Sequence, residues 1–120
     1  MGKLLIHLTH GTEAPTQADR AFLIAQTAIK DGHEVSMFLA GEAAKLITNE
    51  NLDRQHGFGP ILRDYYNTII EGGGKIYLSK MSCESRGISL EELEGKKVEL
   101  APPNKLVELS LAADSTITYG

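Results

Sequence analysis

The chain contains one cysteine among its 120 residues, and it has no apolar run long enough to cross a membrane. A single cysteine cannot form an internal disulfide, which favours a reducing compartment. A membrane helix needs about 20 consecutive apolar residues. The strand-like run from Leu4 to Leu8 is too short even for the core of a signal peptide. We therefore expect a cytoplasmic protein without a membrane segment.

A basic patch is also missing from the sequence. The twelve lysines and arginines form no run, and the formal net charge is −4. Because nucleic-acid binding depends on clustered positive charge, the composition argues against a nucleic-acid partner. The hydrophobic content of 42% is spread along the chain without linkers, repeats or low-complexity tracts. These features predict one globular domain that spans residues 1–120.

Short apolar or β-branched runs alternate with helical patterns along the chain. Apolar residues at helical spacing follow Pro15 and end at Gly32, which predicts a long first helix. Shorter helices are predicted over 41–47, 61–69 and 90–94 and after residue 104. The alternation predicts an α/β fold, a three-layer α/β/α sandwich with a five-stranded, mostly parallel sheet. The predicted strands are residues 4–8, 35–39, 75–78, 98–101 and 116–119.

The segment 48–59 has no clear period and contains two asparagines and two glycines. We predict a loop of about a dozen residues here, a length that in compact domains often accompanies function.

The only cysteine, Cys83, comes just after the third predicted strand. Loops at the carboxyl ends of parallel strands line the ligand crevice of an open sheet. A solvent-accessible thiol at this place is a candidate nucleophile, sulfur acceptor or site of oxidation. Arg86 would favour the thiolate, whereas Glu84 would oppose it. The alternative is a cysteine that fills a gap in the core, since free cysteines are often buried.

Two further groups at the same sheet edge are candidate ligands of a small anion. His10 and Gly11 follow the first strand in a polar loop that leads into a helix, and a histidine near a thiol can keep it deprotonated. Arg86 and Gly87 form a candidate anion clamp, because arginine supplies a rigid fork of donors and glycine allows close backbone approach. An ordinary turn is the alternative for each group.

Motifs for metals, phosphates and hydrolase chemistry are not found. His7, His10 and Cys83 do not form a Cys-x-x-Cys or His-Glu-x-x-His pattern. The glycines at 57–59 and 72–74 do not follow the strand–glycine–helix order of a phosphate loop. A Gly-x-Ser-x-Gly elbow is absent as well. We therefore expect neither a metal nor a cofactor.

Taken together, these motifs resemble the DsrE/DsrF-like family, which includes TusD-type sulfur-relay subunits and YchN-like proteins. The resemblance covers nearly the whole chain and rests on Thr9-His10-Gly11, on the segment 25–35 and above all on Arg86-Gly87-Ile88 after a strand and a short loop. It implies a compact α/β domain that assembles into trimers or hexamers. For the sulfur-relay members, it implies a cysteine that carries a persulfide and passes the sulfur to a partner.

The resemblance also implies where the family's cysteines stand. Sulfur-relay members place theirs at the position of Ser79, and YchN-like members add a second at the position of Ser82. Cys83 lies one residue further on. Sulfur transfer in this chain would therefore need Cys83 to act from a shifted place, with Ser79 and Ser82 as neighbouring binding residues.

Two functions remain open at this point. The first is a sulfurtransferase-like carrier in which Cys83 is the catalytic residue, Arg86 stabilises anionic sulfur, and a sulfur donor or acceptor protein is the partner. The second is a non-catalytic oligomeric module that binds a small anion or a protein partner at the same crevice. Homo-oligomer formation is expected through an exposed apolar helix face formed by Tyr65, Tyr66 and Ile69.

Overall fold

The computed structural model describes all 120 residues, from Met1 to Gly120. A five-stranded sheet forms its centre, and all strand pairs are parallel. The predicted α/β fold is thus confirmed, and the predicted strands agree with the observed ones to within one residue at each end. The strands are β1 (Lys3–Leu8), β2 (Glu34–Leu39), β3 (Lys75–Ser79), β4 (Val98–Ala101) and β5 (Ser115–Tyr119).

Six α-helices and one 3₁₀ helix connect the strands. The long helix α1 (Pro15–Lys30) and the helix α6 (Pro103–Ala112) both begin with a proline in the first turn, where its missing N–H has no intrahelical partner to lose. The 3₁₀ helix spans Gly41–Ile47. The α-helices are α1 (Pro15–Lys30), α2 (Asn49–Leu52), α3 (Leu62–Glu71), α4 (Lys80–Ser85), α5 (Leu90–Leu93) and α6 (Pro103–Ala112).

The prediction of one continuous loop over residues 48–59 is wrong, because the helix α2 lies within it. Asn51 and Leu52 are buried on this helix. The Asn51 side chain donates a hydrogen bond of 2.8 Å from Nδ2 to the carbonyl of Lys45. Burial and this hydrogen bond stabilise a single helical turn that has no periodic signature in the sequence.

The order of the strands in the sheet is β4-β3-β2-β1-β5. The chain steps outward from β1 to β4 and then returns across the sheet to place β5 beside β1. Right-handed crossovers put the connecting helix on the opposite face when the direction of travel reverses. Accordingly, α1 and α3 pack on one face, and α6 packs on the other.

The larger core lies between the sheet and the helices α1 and α3. Tyr65, Tyr66 and Ile69 of α3 belong to this core, and each is at most 7% exposed. The expectation that they form an exposed face for another subunit is therefore wrong, because α3 turns this stripe onto its own sheet. The smaller core, on the α6 face, contains Leu5, Phe38, Tyr77 and Ala101.

Every helix falls short of the length and apolar character that a membrane crossing requires.

Candidate functional site

The carboxyl ends of β1, β2 and β3 lie side by side, so the segments that follow them meet at one edge of the sheet. We call this region the carboxyl edge; it comprises residues 9–13, 40–45 and 79–88. Gly11 touches the segment after β2 so closely that a Cβ there would lie 2.3 Å from the Glu42 carbonyl oxygen. Only glycine fits at this contact. Close packing between the two chain segments therefore explains why residue 11 is a glycine.

Ser79 and Ser82 both use their hydroxyl groups to fix α4. The Ser79 side chain is the N-cap of α4 and accepts a hydrogen bond of 3.2 Å from the backbone N–H of Ser82. The Ser82 hydroxyl in turn accepts a hydrogen bond of 2.8 Å from the backbone N–H of Gly41. An N-cap of this kind contributes about 1 kcal/mol. The two serines therefore join α4 to the end of β3 and to the turn after β2.

Arg86 lies in the same cluster and is already paired. Its Nε donates a hydrogen bond of 3.2 Å to Oε1 of Glu42. Its Nη1 donates to the Ser85 hydroxyl at 2.9 Å. The other carboxylate oxygen of Glu42 lies 3.0 Å from the Lys45 ammonium. The hydrogen bond from Lys45 lowers the pKa of Glu42, and Arg86 adds to this effect. A bound anion would have to compete with Glu42 for the guanidinium.

Glu42 and Lys45 were not among the residues singled out from the sequence. Both follow β2, as His10 follows β1 and Cys83 follows β3. The same rule, that polar residues just after adjacent parallel strands meet at one edge, would have found them.

The Arg86-Gly87-Ile88 motif forms the C-terminal cap of α4. The backbone N–H of Ile88 donates to the carbonyl of Cys83 at 3.0 Å, and that of Gly87 donates to Glu84 at 3.3 Å. Gly87 has φ of +66°, in the left-handed region. These are the features of a Schellman motif. A Cβ at Gly87 would meet no atom within 4 Å, so the glycine is required by backbone conformation.

Cys83 points away from this cluster and into the larger core. Its exposed fraction is 3%, so the expectation of a solvent-accessible thiol is wrong. Burial raises the pKa of the Cys83 thiol above its ordinary value of 9.0; Arg86 opposes this effect, and Glu84 adds to it. The thiol is therefore protonated at neutral pH. Its environment is that of a cysteine that fills a gap in the core, which was the alternative considered from the sequence.

His10 is paired within its own loop. Its Nδ1 lies 2.8 Å from Oε2 of Glu13, and the other oxygen of that carboxylate accepts a hydrogen bond of 2.6 Å from the Gly11 N–H. The Cys83 thiol is not among the hydrogen-bond partners of His10, so the histidine does not tune the thiol in the way considered from the sequence.

The two most voluminous surface cavities lie away from the carboxyl edge. One, of about 380 Å³, lies between α1 and the segment 57–59. The other, of about 360 Å³, lies between the amino-terminal parts of β3 and β4. Neither is lined by any of the seven candidate residues. In addition, no group of three or more His, Cys, Asp and Glu side chains is placed to hold a metal.

The parallel sheet with helices packed on both of its faces makes the chain an α/β protein of the open-sheet class. The DsrE/DsrF-like family matches residues 2–119, and the chain belongs to this family. The resemblance drawn from the sequence is thereby confirmed. The chain is similar to an uncharacterized protein of Methanocaldococcus jannaschii, with 34% identity over 102 residues; the match covers 83% of this chain and 37% of that protein. The chain thus spans little more than a third of this relative.

Solved structures show how widely the fold is shared. The YchN protein of E. coli superposes with a TM-score of 0.82 at 19% identity, covering 99% of this chain and 100% of that one. A conserved protein of unknown function from Bacteroides thetaiotaomicron gives a TM-score of 0.75 at 16% identity, covering 98% and 95% of the two chains. A protein of unknown function from Methanobacterium thermoautotrophicum gives 0.77 at 7% identity, covering 99% and 100%.

Proposed function

We propose that this chain is a non-catalytic, oligomeric DsrE/DsrF-like module that works in the cytoplasm and binds a protein partner at its carboxyl edge. The hydrogen bonds and the burial of three side chains support this proposal. The hydroxyl groups of Ser79 and Ser82 are engaged in fixing α4. The Cys83 thiol is enclosed in the core. The only thiol of the chain is therefore not exposed to receive and carry a persulfide sulfur.

The geometry of the carboxyl edge favours a protein partner over a small anion. A small ligand is usually held in a concave pocket, whereas the two most voluminous cavities lie elsewhere. Arg86, Glu42 and Lys45 form a partly exposed array of both charge signs. Such an array suits a complementary protein surface, which it can orient through charge.

One observation favours the sulfur-carrier hypothesis. The positive charge of Arg86 lowers the pKa of Cys83, as a thiolate nucleophile would require. Burial acts more strongly in the opposite direction, however, and the pKa is raised overall. A sulfur donor would also have to reach an atom that the core encloses. The non-catalytic module is therefore the better-supported function.

Intact-mass measurement after incubation with a persulfide donor tests the non-catalytic role. We expect the native chain to gain no sulfur atom. The Ser79→Cys variant is the matched control, because it places a thiol at the half-buried position to which the resemblance assigns the cysteine of the sulfur-relay members, and it is expected to gain one sulfur. A sulfur adduct on the native chain that is lost in Cys83→Ala would contradict the proposal and establish the sulfur carrier.

Substitution of Arg86 tests the role of the carboxyl edge in binding. A partner protein retained by the immobilised native chain should be retained at least about tenfold less well by Arg86→Ala, because a charge pair at a binding surface is worth about 1.4 kcal/mol or more. Lys105→Ala is the matched control, since Lys105 also forms an ion pair but lies on α6. Equal loss in both variants would show that the carboxyl edge is not the binding surface.

A further inference from the structure

The outer edge of β5 is open to another strand. β5 lies at the end of the sheet and pairs only with β1. Four of its five residues are exposed, and it contains neither a charged residue nor a proline. Its pairing with β1 runs without a bulge from Ser115 to Tyr119. Natural proteins usually protect exposed edges with charges, prolines or bulges, and β5 has none of these.

The strand at the other end of the sheet, β4, is protected against pairing with a further strand. β4 has only four residues, includes Glu99 and directly follows Lys97. A short strand with charges is a protected edge. The contrast singles out β5 as the edge that can accept a further strand.

The backbone groups that β5 offers follow from its pairing with β1. The N–H of Thr9 donates to the carbonyl of Tyr119 at 3.0 Å, so Tyr119 directs its carbonyl toward β1. Alternate residues of a strand direct their N–H and C=O groups to opposite sides. Ile117 therefore also faces β1, and Thr116 and Thr118 direct their backbone groups away from the sheet.

We propose that β5 pairs antiparallel with β5 of a second copy of the chain, about a two-fold axis at Ile117. The segment Thr116-Ile117-Thr118 reads the same in both directions. The axis therefore places Thr116 opposite Thr118 of the second copy. These are the residues with outward backbone groups, so each opposed pair exchanges both hydrogen bonds, as a hydrogen-bonded pair of an antiparallel ladder does.

The side chains agree with this register. Ile117 lies opposite its own copy at a non-hydrogen-bonded position, where side chains approach most closely, and its 36% exposed side chain is covered by the contact. Opposed threonines are a favourable cross-strand pair, and no like charges oppose each other. The contact is isologous and closes on itself. It rests on the oligomeric part of the proposed function and specifies the surface that forms the oligomer.

Charge substitutions on the exposed threonines test this pairing. In Thr116→Lys/Thr118→Lys, the proposed register brings lysine opposite lysine. Light scattering after size exclusion should then show the mass of the assembly reduced twofold, to 13.0 kDa if no other contact persists. Thr116→Lys/Thr118→Glu is the matched control, because it brings lysine opposite glutamate and should restore the native mass. Circular dichroism checks that both variants fold.

Disulfide trapping provides an independent measurement. Ile117→Cys should form a covalent dimer on mild oxidation, because residue 117 faces its own copy. Thr118→Cys should not, because it faces Thr116. The native Cys83 is buried and does not interfere.

The outcomes separate the edge pairing from the proposed function. A native assembly whose mass is unchanged by lysine at both positions, or an Ile117→Cys variant that does not cross-link, overturns the edge pairing and leaves the oligomeric module standing. A native chain that runs at 13.0 kDa overturns both. Loss of assembly with two lysines and its recovery with lysine and glutamate establish the pairing and its register.

Discussion

Met81 and Cys83 are two residues apart on α4 and have opposite environments. Met81 is 66% exposed, whereas Cys83 is enclosed in the core. Two residues correspond to a rotation of about 200° around a helix axis, so one side chain faces solvent when the other faces the sheet. The orientation of α4 therefore determines that the only thiol of the chain faces the core, where reactants in solution do not reach it.

His7 gives the stability of the protein a pH dependence. It lies on the α6 face with its ring 6.1 Å from that of Phe38, and burial lowers its pKa from 6.5. The unfolded chain thus binds this proton more strongly than the folded one. The corresponding stability is present above pH 6.5 and decreases as the pH falls through that value toward the folded pKa.

We therefore expect the free energy of unfolding to fall between about pH 7 and about pH 5, the range in which histidine titrates. His7→Gln should reduce that fall, because glutamine takes up no proton. Urea unfolding at a series of pH values measures both proteins. Equal pH slopes for the two would show that His7 does not contribute. Carboxylates with lowered pKa, such as Asp53, act at lower pH.

The helix α4 has only six residues and is fixed at both ends. Helices this short are not stable without help from their surroundings. Ser79 caps the first turn, and the Schellman motif with Gly87 closes the last. The Arg86-Gly87-Ile88 motif, on which the sequence resemblance mainly rested, thus has a structural role, since it ends α4 and directs Ile88 back to the core. Arg86 is held at the surface as a consequence.

Gly87→Ala should destabilise the protein by about 1–2 kcal/mol, because alanine in the left-handed region is strained. Gly87→Asn should recover much of this loss, since asparagine tolerates that conformation. The space beside Gly87 is open, so no steric clash contributes to the difference. Urea unfolding of the three proteins measures the effect. An alanine variant as stable as the native chain would contradict the Schellman assignment.

The positions of the strands were predictable because apolar runs separated by glycines and prolines are a local signal. The environment of α3 was not, since the stripe of Tyr65, Tyr66 and Ile69 indicates an apolar face without showing which surface covers it. The orientation of the Cys83 side chain also could not be predicted from the sequence. It depends on where α4 begins, and the cap at Ser79 sets that point. The sequence therefore predicted the carboxyl edge as a place but not the direction of its thiol.

The whole molecule presents two surfaces in different directions. The carboxyl edge lies at the ends of β1, β2 and β3, whereas β5 extends the sheet sideways. A second copy paired at β5 would leave the ends of those three strands free. Assembly and partner binding can therefore occur together on one subunit.

The proposal of a non-catalytic role depends on the enclosure of the Cys83 thiol in the core. The thiol's rate of modification by a small alkylating reagent measures that enclosure directly, because the chain has no other cysteine. We predict that native protein reacts more than about a thousandfold more slowly than protein in denaturant, since access requires opening of the core. A native rate within about tenfold of the denatured rate would show a thiol open to solvent and would contradict the account.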